Sequence, residues 1–126
     1  MADPIGEFRS TRAAWFMTKT ADGEIQMTTS YEGTADGFGA VFGTLTRTQP
    51  LAEAGASSGM CSYAGFAVND DGSIIGGIGE GTWERIGSEM RFSVSLLVEL
   101  SDGSKLRSEG VLDPTEQSWN GKIYET

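Results

Sequence analysis

At 126 residues, 38% of them hydrophobic, with six Phe, three Trp and three Tyr, the chain fits one domain around one core. Eighteen acidic against nine basic residues give a net charge of −9, which argues against nucleic-acid and anionic-membrane partners. The absence of His and the single Cys61 argue against an internal disulfide, a Cys/His zinc site and His-based nucleophile triads, so no metal and no cofactor is expected.

The opening Met1–Ser10 stands apart from the pattern that follows. Glu7-Phe8 and Arg9-Ser10 are dipeptides that common restriction sites encode, so part of this segment reads as a cloning remnant. Residues 1–12 are therefore expected outside the fold, disordered or appended, with one β-barrel domain over residues 13–126. Arg9 and Arg12 precede no apolar stretch of the about 7–15 residues that a secretion signal carries, and no run approaches the ~18 of a membrane helix. The expected location is cytoplasmic.

The strands then read, in chain order, as Trp15–Thr20, Glu24–Glu32, Ala40–Gln49, Gly59–Asn69, Ser73–Ile86, Glu89–Leu100, Lys105–Leu112 and Ser118–Glu125. Asp-Gly pairs at Asp22-Gly23, Asp36-Gly37, Asp71-Gly72 and Asp102-Gly103 punctuate them. Such pairs suit type I′ hairpin turns, where both central residues need φ > 0. The sixth segment alternates most clearly: Met90, Phe92, Val94, Leu96, Val98 and Leu100 share one face. Pro50–Ser58 is the one long connection, and suits a single helical turn or a mobile flap. With no helix to cover a sheet, closing the sheet on itself hides one face and removes both edges. The expected fold is all-β: a single antiparallel, eight-stranded up-and-down barrel, with a two-sheet sandwich as the alternative.

Gly76-Gly77-Ile78-Gly79-Glu80-Gly81-Thr82-Trp83 does not open a helix and fits neither G-x-G-x-x-G nor a P-loop. Gly77, Gly79 and Gly81 fall on one strand face, where they mark bends or the approach of a ring such as Trp15, Tyr63 or Trp83. Glu80 alternates to the other face, with Ile74, Ile78 and Thr82. Without His, acid–base chemistry falls to Glu80, Tyr63, Tyr31 and Arg47 as weak catalytic candidates. Cys61 suits a small buried residue, and Arg107 suits a cross-strand pair with Glu99.

Eight strands, short Asp-Gly hairpins and one longer connection make residues 15–125 resemble a calycin-type or allene-oxide-cyclase-like small barrel, at the level of topology. The Gly-x-Trp of lipocalins lies on their first strand, whereas Gly81-Thr82-Trp83 falls on the fifth here, so no lipocalin residue carries over. Nitrobindin-like haem barrels need a His that this chain lacks. The resemblance implies binding of small hydrophobic molecules, or their cyclisation or isomerisation.

Three functions follow as expectations. The favoured one is a module binding a small hydrophobic ligand in the lumen, with Tyr31, Tyr63, Gly79, Trp83, Phe92 and Leu96 as ligand-binding residues. The second is a cofactor-independent isomerase, cyclase or lyase in the same cavity. The third is a non-enzymatic protein that forms a homodimer, with Leu97 and Val111 breaking the polar faces of their strands to form the patch.

Overall fold

The computed structural model describes residues 3–126. Among the described residues are eight strands: β1 (Gly6–Lys19), β2 (Glu24–Ala35), β3 (Gly39–Pro50), β4 (Ser58–Val68), β5 (Ile74–Arg85), β6 (Phe92–Leu100), β7 (Lys105–Asp113) and β8 (Ser118–Glu125). Each pairs antiparallel with its chain neighbour, and β1 pairs with β8 to close an up-and-down barrel. The closed sheet excludes the sandwich. No helix among the described residues is long and apolar enough to cross a membrane.

The expectation that residues 1–12 lie outside the fold does not hold for residues 6–12, and Met1 and Ala2 lie outside the described residues. β1 starts at Gly6, and the closing seam is its first half, running from Gly6 opposite Ile123 to Thr11 opposite Ser118. Phe8 and Ser10 are buried, and the Ser10 hydroxyl donates to the Trp119 carbonyl at 2.7 Å. Glu7 N–H donates to Asp36 Oδ2 at 3.0 Å, which ties the seam to the β2–β3 turn.

Beyond the seam, β1 carries a bulge. Arg12 faces Tyr31 but Ala14 faces Ser30, so Ala13 is an extra residue in the ladder. Phe8, Ser10 and Arg12 point inward before the bulge, and Trp15 and Met17 point inward after it, because a bulge swaps the parity of the pleat.

The hairpins differ from type I′ turns. Within each of the four Asp-Gly pairs only the glycine has positive φ, between +79° and +90°, and the aspartate does not. In three of them the Gly N–H donates to the carbonyl three residues back, as from Gly72 to Asn69 at 2.8 Å. This is the longer loop in which a left-handed glycine follows the turn. Asp71 and Asp102 lock their loops by accepting from the backbone N–H and hydroxyl of Ser73 and Ser104 at 2.6–2.9 Å. Pro50–Ser58 contains one 3₁₀ turn, Leu51–Glu53. The sixth strand starts at Phe92, so Glu89–Arg91 belongs to the loop before it.

The core runs through the barrel axis. Val94, Leu96 and Val98 from β6 pack with Leu45, Trp83, Leu106 and Ile123. Around Trp119 the rings of Phe8, Tyr31 and Tyr63 meet edge-on, with centroids 5.2–5.9 Å away. These rings form a waist across the barrel.

Candidate functional site

Two cavities lie on either side of the waist, and Tyr31 lines both. The smaller, about 110 Å³, sits toward the β2–β3, β4–β5 and β6–β7 turns. Its lining is Phe8, Phe38, Tyr63, Leu100 and Trp119 among other apolar groups, with Ser10 and Ser108 as its small polar contributions. The larger, about 240 Å³, lies toward the β1–β2, β3–β4, β5–β6 and β7–β8 connections. At about 30 Å³ of liquid volume per water, it has room for roughly eight waters.

The larger cavity is built by matched strand positions. Met27, Thr29 and Tyr31 on β2 stand opposite Arg47, Leu45 and Gly43 on β3. The bulge brings Arg12 and Trp15 to the same wall, with Arg12 opposite Tyr31 and Trp15 opposite Thr29. Cys61, Trp83, Phe92 and Val94 form the far wall. Trp15, Met17 and Met90 are each just over half exposed, so they form an apolar rim. The Pro50–Ser58 connection lies at this end of the barrel.

Arg47 points inward, and its guanidinium lies 4.9 Å from the Trp83 ring and 5.4 Å from the Phe92 ring. Its Nη2 donates to the Met27 sulfur at 3.5 Å. Burial lowers the Arg47 pKa from its ordinary value. Burial likewise pushes the Tyr31 hydroxyl up to about 12, against the opposing pull of Arg12 and Arg47. The Tyr63 hydroxyl and the Cys61 thiol are also raised by burial, the thiol against a pull from Arg47. Cys61 is thus a buried neutral thiol facing the cavity, which disfavours nucleophilic behaviour.

The sequence-predicted residues divide. Tyr31, Trp83 and Phe92 line the larger cavity, as does Arg47. Tyr63 and Leu96 line the smaller one, and Leu96, 1% exposed, is part of the packed core. Gly79 lines neither: a Cβ there would come 2.6 Å from the Leu97 carbonyl oxygen, so this glycine serves strand contact rather than ligand space. The ring expected over the glycines of β5 instead covers others. Tyr63 lies over Gly43 and Gly65, and Trp83 over Gly59.

Glu80 is exposed on the outer wall, between Ser62 and Leu97, and leaves the acid–base candidates without a lumen carboxylate. Arg107 pairs with Glu109 at 3.2 Å and stacks over Tyr124, while Glu99 stands opposite Lys105. Leu97 and Val111 do not form one patch, because the hydrogen-bonded Ser95–Glu109 pair lies between them. The outer apolar stripe lies elsewhere, on Phe42, Phe66, Ile74 and Ile78. Among the described residues no cluster of His, Cys, Asp or Glu suits a metal ion.

Sequence reasoning missed Arg12, Trp15, Met27 and Thr29 as members of the larger cavity. The alternation of β2 carried a signal for the last two, since Met27 and Thr29 share parity with Tyr31. Comparison with models of protein families, with curated proteins and with solved structures finds no match for this chain.

Proposed function

We propose that the protein binds one small, largely hydrophobic molecule in the larger lumen cavity. The observation that carries this reading is the cavity itself: about 240 Å³, open through the Trp15–Met17–Met90 rim, with a surface that is mostly apolar and with Arg12, Arg47 and Tyr31 among its polar groups. Pockets of this character, apolar with a few converging polar groups, are the usual form of small-molecule sites. The resemblance to calycin-type barrels points the same way. A catalytic role has less support. The one carboxylate among the described residues that lines the cavity, Asp113 at its rim, is tied to Thr115, Glu116 and Arg91, and the other ionisable groups facing the lumen are Arg12, Arg47, two tyrosines and a thiol.

A neutral fluorescent probe, N-phenyl-1-naphthylamine, tests this reading. It is expected to bind the wild-type protein one to one. Thr29→Phe, which fills the cavity, is expected to weaken that binding at least about tenfold, a loss of about 1.4 kcal/mol. Absence of binding overturns the proposal, and so does binding that Thr29→Phe leaves unchanged, which assigns the probe to the outer stripe.

A further inference from the structure

Arg12 and Arg47 are the two cations that face the larger cavity, in a chain whose net charge is −9. Other arginines are occupied. Arg9 pairs with Glu7, Arg91 with Glu89 and Asp113, and Arg107 with Glu109, at 2.8–3.8 Å. Arg85 donates to the Ser88 and Glu89 carbonyls of its own loop. Among the described residues, neither Arg12 nor Arg47 has a carboxylate within 4.0 Å.

The surrounding rings do not satisfy these groups. The Arg47 guanidinium carbon lies over the Trp83 and Phe92 rings, and that of Arg12 over the Trp15 ring, at 4.9–5.7 Å from the centroids, where a ring face offers no lone-pair acceptor. A guanidinium carries its five N–H donors around its edge, in the plane. At Arg47 the sole side-chain acceptor within reach is the weak Met27 sulfur. The acid at the cavity rim, Asp113, is already engaged: it accepts from Thr115 and Glu116 and pairs with Arg91 at 3.8 Å. Tyr31, between the two arginines, keeps its proton to about pH 12 and so offers a donor rather than a competing negative charge.

We infer that the ligand of this cavity is a monoanion with an apolar body, its carboxylate held by Arg47, Arg12 and the Tyr31 hydroxyl. This inference rests on the binding function proposed above. A guanidinium fork matches the planar carboxylate in two parallel hydrogen bonds, and the half-buried setting strengthens them. Apart from the weak contact to the Met27 sulfur, the Arg47 N–H groups have no side-chain acceptor among the described residues, and the body of the ligand fills the space along Thr29, Phe92 and Val94.

Decanoate and decan-1-ol share an apolar chain and differ in the head. Amide NMR titrations of the wild-type protein with each follow Thr29, Leu45, Arg47, Cys61 and Phe92. Decanoate is expected to shift these signals with an affinity at least about tenfold above that of decan-1-ol, the scale of one hydrogen bond to a charged group. Arg47→Met combined with Arg12→Met, which keep the apolar stems, should cancel the preference while the thermal melt confirms folding. Equal affinity of the two compounds at the lumen signals overturns the anion inference and leaves lumen binding standing. If neither compound moves those signals, both readings fail.

Discussion

The two ends of the lumen are made by the same eight strands, yet they present different chemistry. Toward the β2–β3 turn, the inner face carries Phe8, Ala35, Phe38, Leu106 and Ile123, and the space left is about 110 Å³ without a formal charge. Toward the β1–β2 turn the same strands turn in Arg12, Arg47 and Cys61, and the space more than doubles to about 240 Å³. In an antiparallel barrel each strand spans both ends, so its two halves can be specialised separately. Here one half of each strand holds the barrel together and the other half leaves room. Trp119 and its ring partners form the partition that keeps the two apart.

The largest expected effect comes from the end that holds. Removing residues 1–11 deletes the whole β1–β8 seam together with Phe8 and Ser10. The shortened chain is expected to lose cooperative unfolding in urea, a larger loss than the about 3–5 kcal/mol typical of a single buried Phe→Ala. A sharp transition at an unchanged midpoint would show that the seam is dispensable.

A paired substitution reads the contrast directly. Phe8→Ala, at a buried ring of the apolar end, should cost about 3–5 kcal/mol. Trp15→Ala, at a ring 53% exposed on the open rim, should stay within about 0.5 kcal/mol in stability. Equal costs in chemical denaturation would erase the distinction between a structural and a functional end.

The smallest effect concerns what the ends share. Asp71 and Asp102 at the apolar end, and Asp113 at the other, all accept hydrogen bonds within their turns, and those bonds hold their pKa values below the ordinary one. A folded-state pKa below the unfolded one means the stabilisation is complete above about pH 4 and is lost as pH falls through the depressed values. Melts from pH 7 to pH 2 should show this acid limb, and Asp71→Asn with Asp102→Asn should flatten it. An acid limb of unaltered slope would place its origin outside these turns.

Much of the barrel was legible before the structure, and the reasons are local. β6 alternates apolar and polar residues, and the Asp-Gly pairs mark the hairpins, since both signals arise from neighbours in sequence. The first half of β1 was not, because its inner face reads Phe8, Ser10, Arg12, a polar mixture whose burial depends on β8 at the far end of the chain. The bulge then breaks the period-two pattern just beyond that stretch. Glu80 was ambiguous for a related reason. A glycine face and an Ile–Glu–Thr face give no hydrophobic contrast, so only ring closure decides which points outward. The site itself was half visible: Arg47, Tyr31, Trp83 and Phe92 could be chosen by residue type, whereas Arg12 lay in the segment read as outside the fold and Trp15 is turned inward by the bulge.

That extra residue at Ala13 also bears on which changes in chain length the barrel accepts. A deletion inside a regular strand turns every following side chain to the opposite wall. At Ala13 the arithmetic runs the other way: with it gone, Arg12, Trp15 and Met17 still face inward, and Ala14 and Phe16 still face outward. The barrel therefore has a point inside its longest strand where losing a residue straightens the ladder without inverting it. Sequences related to this one by descent would be expected to differ in length there before they differ at any other position in β1.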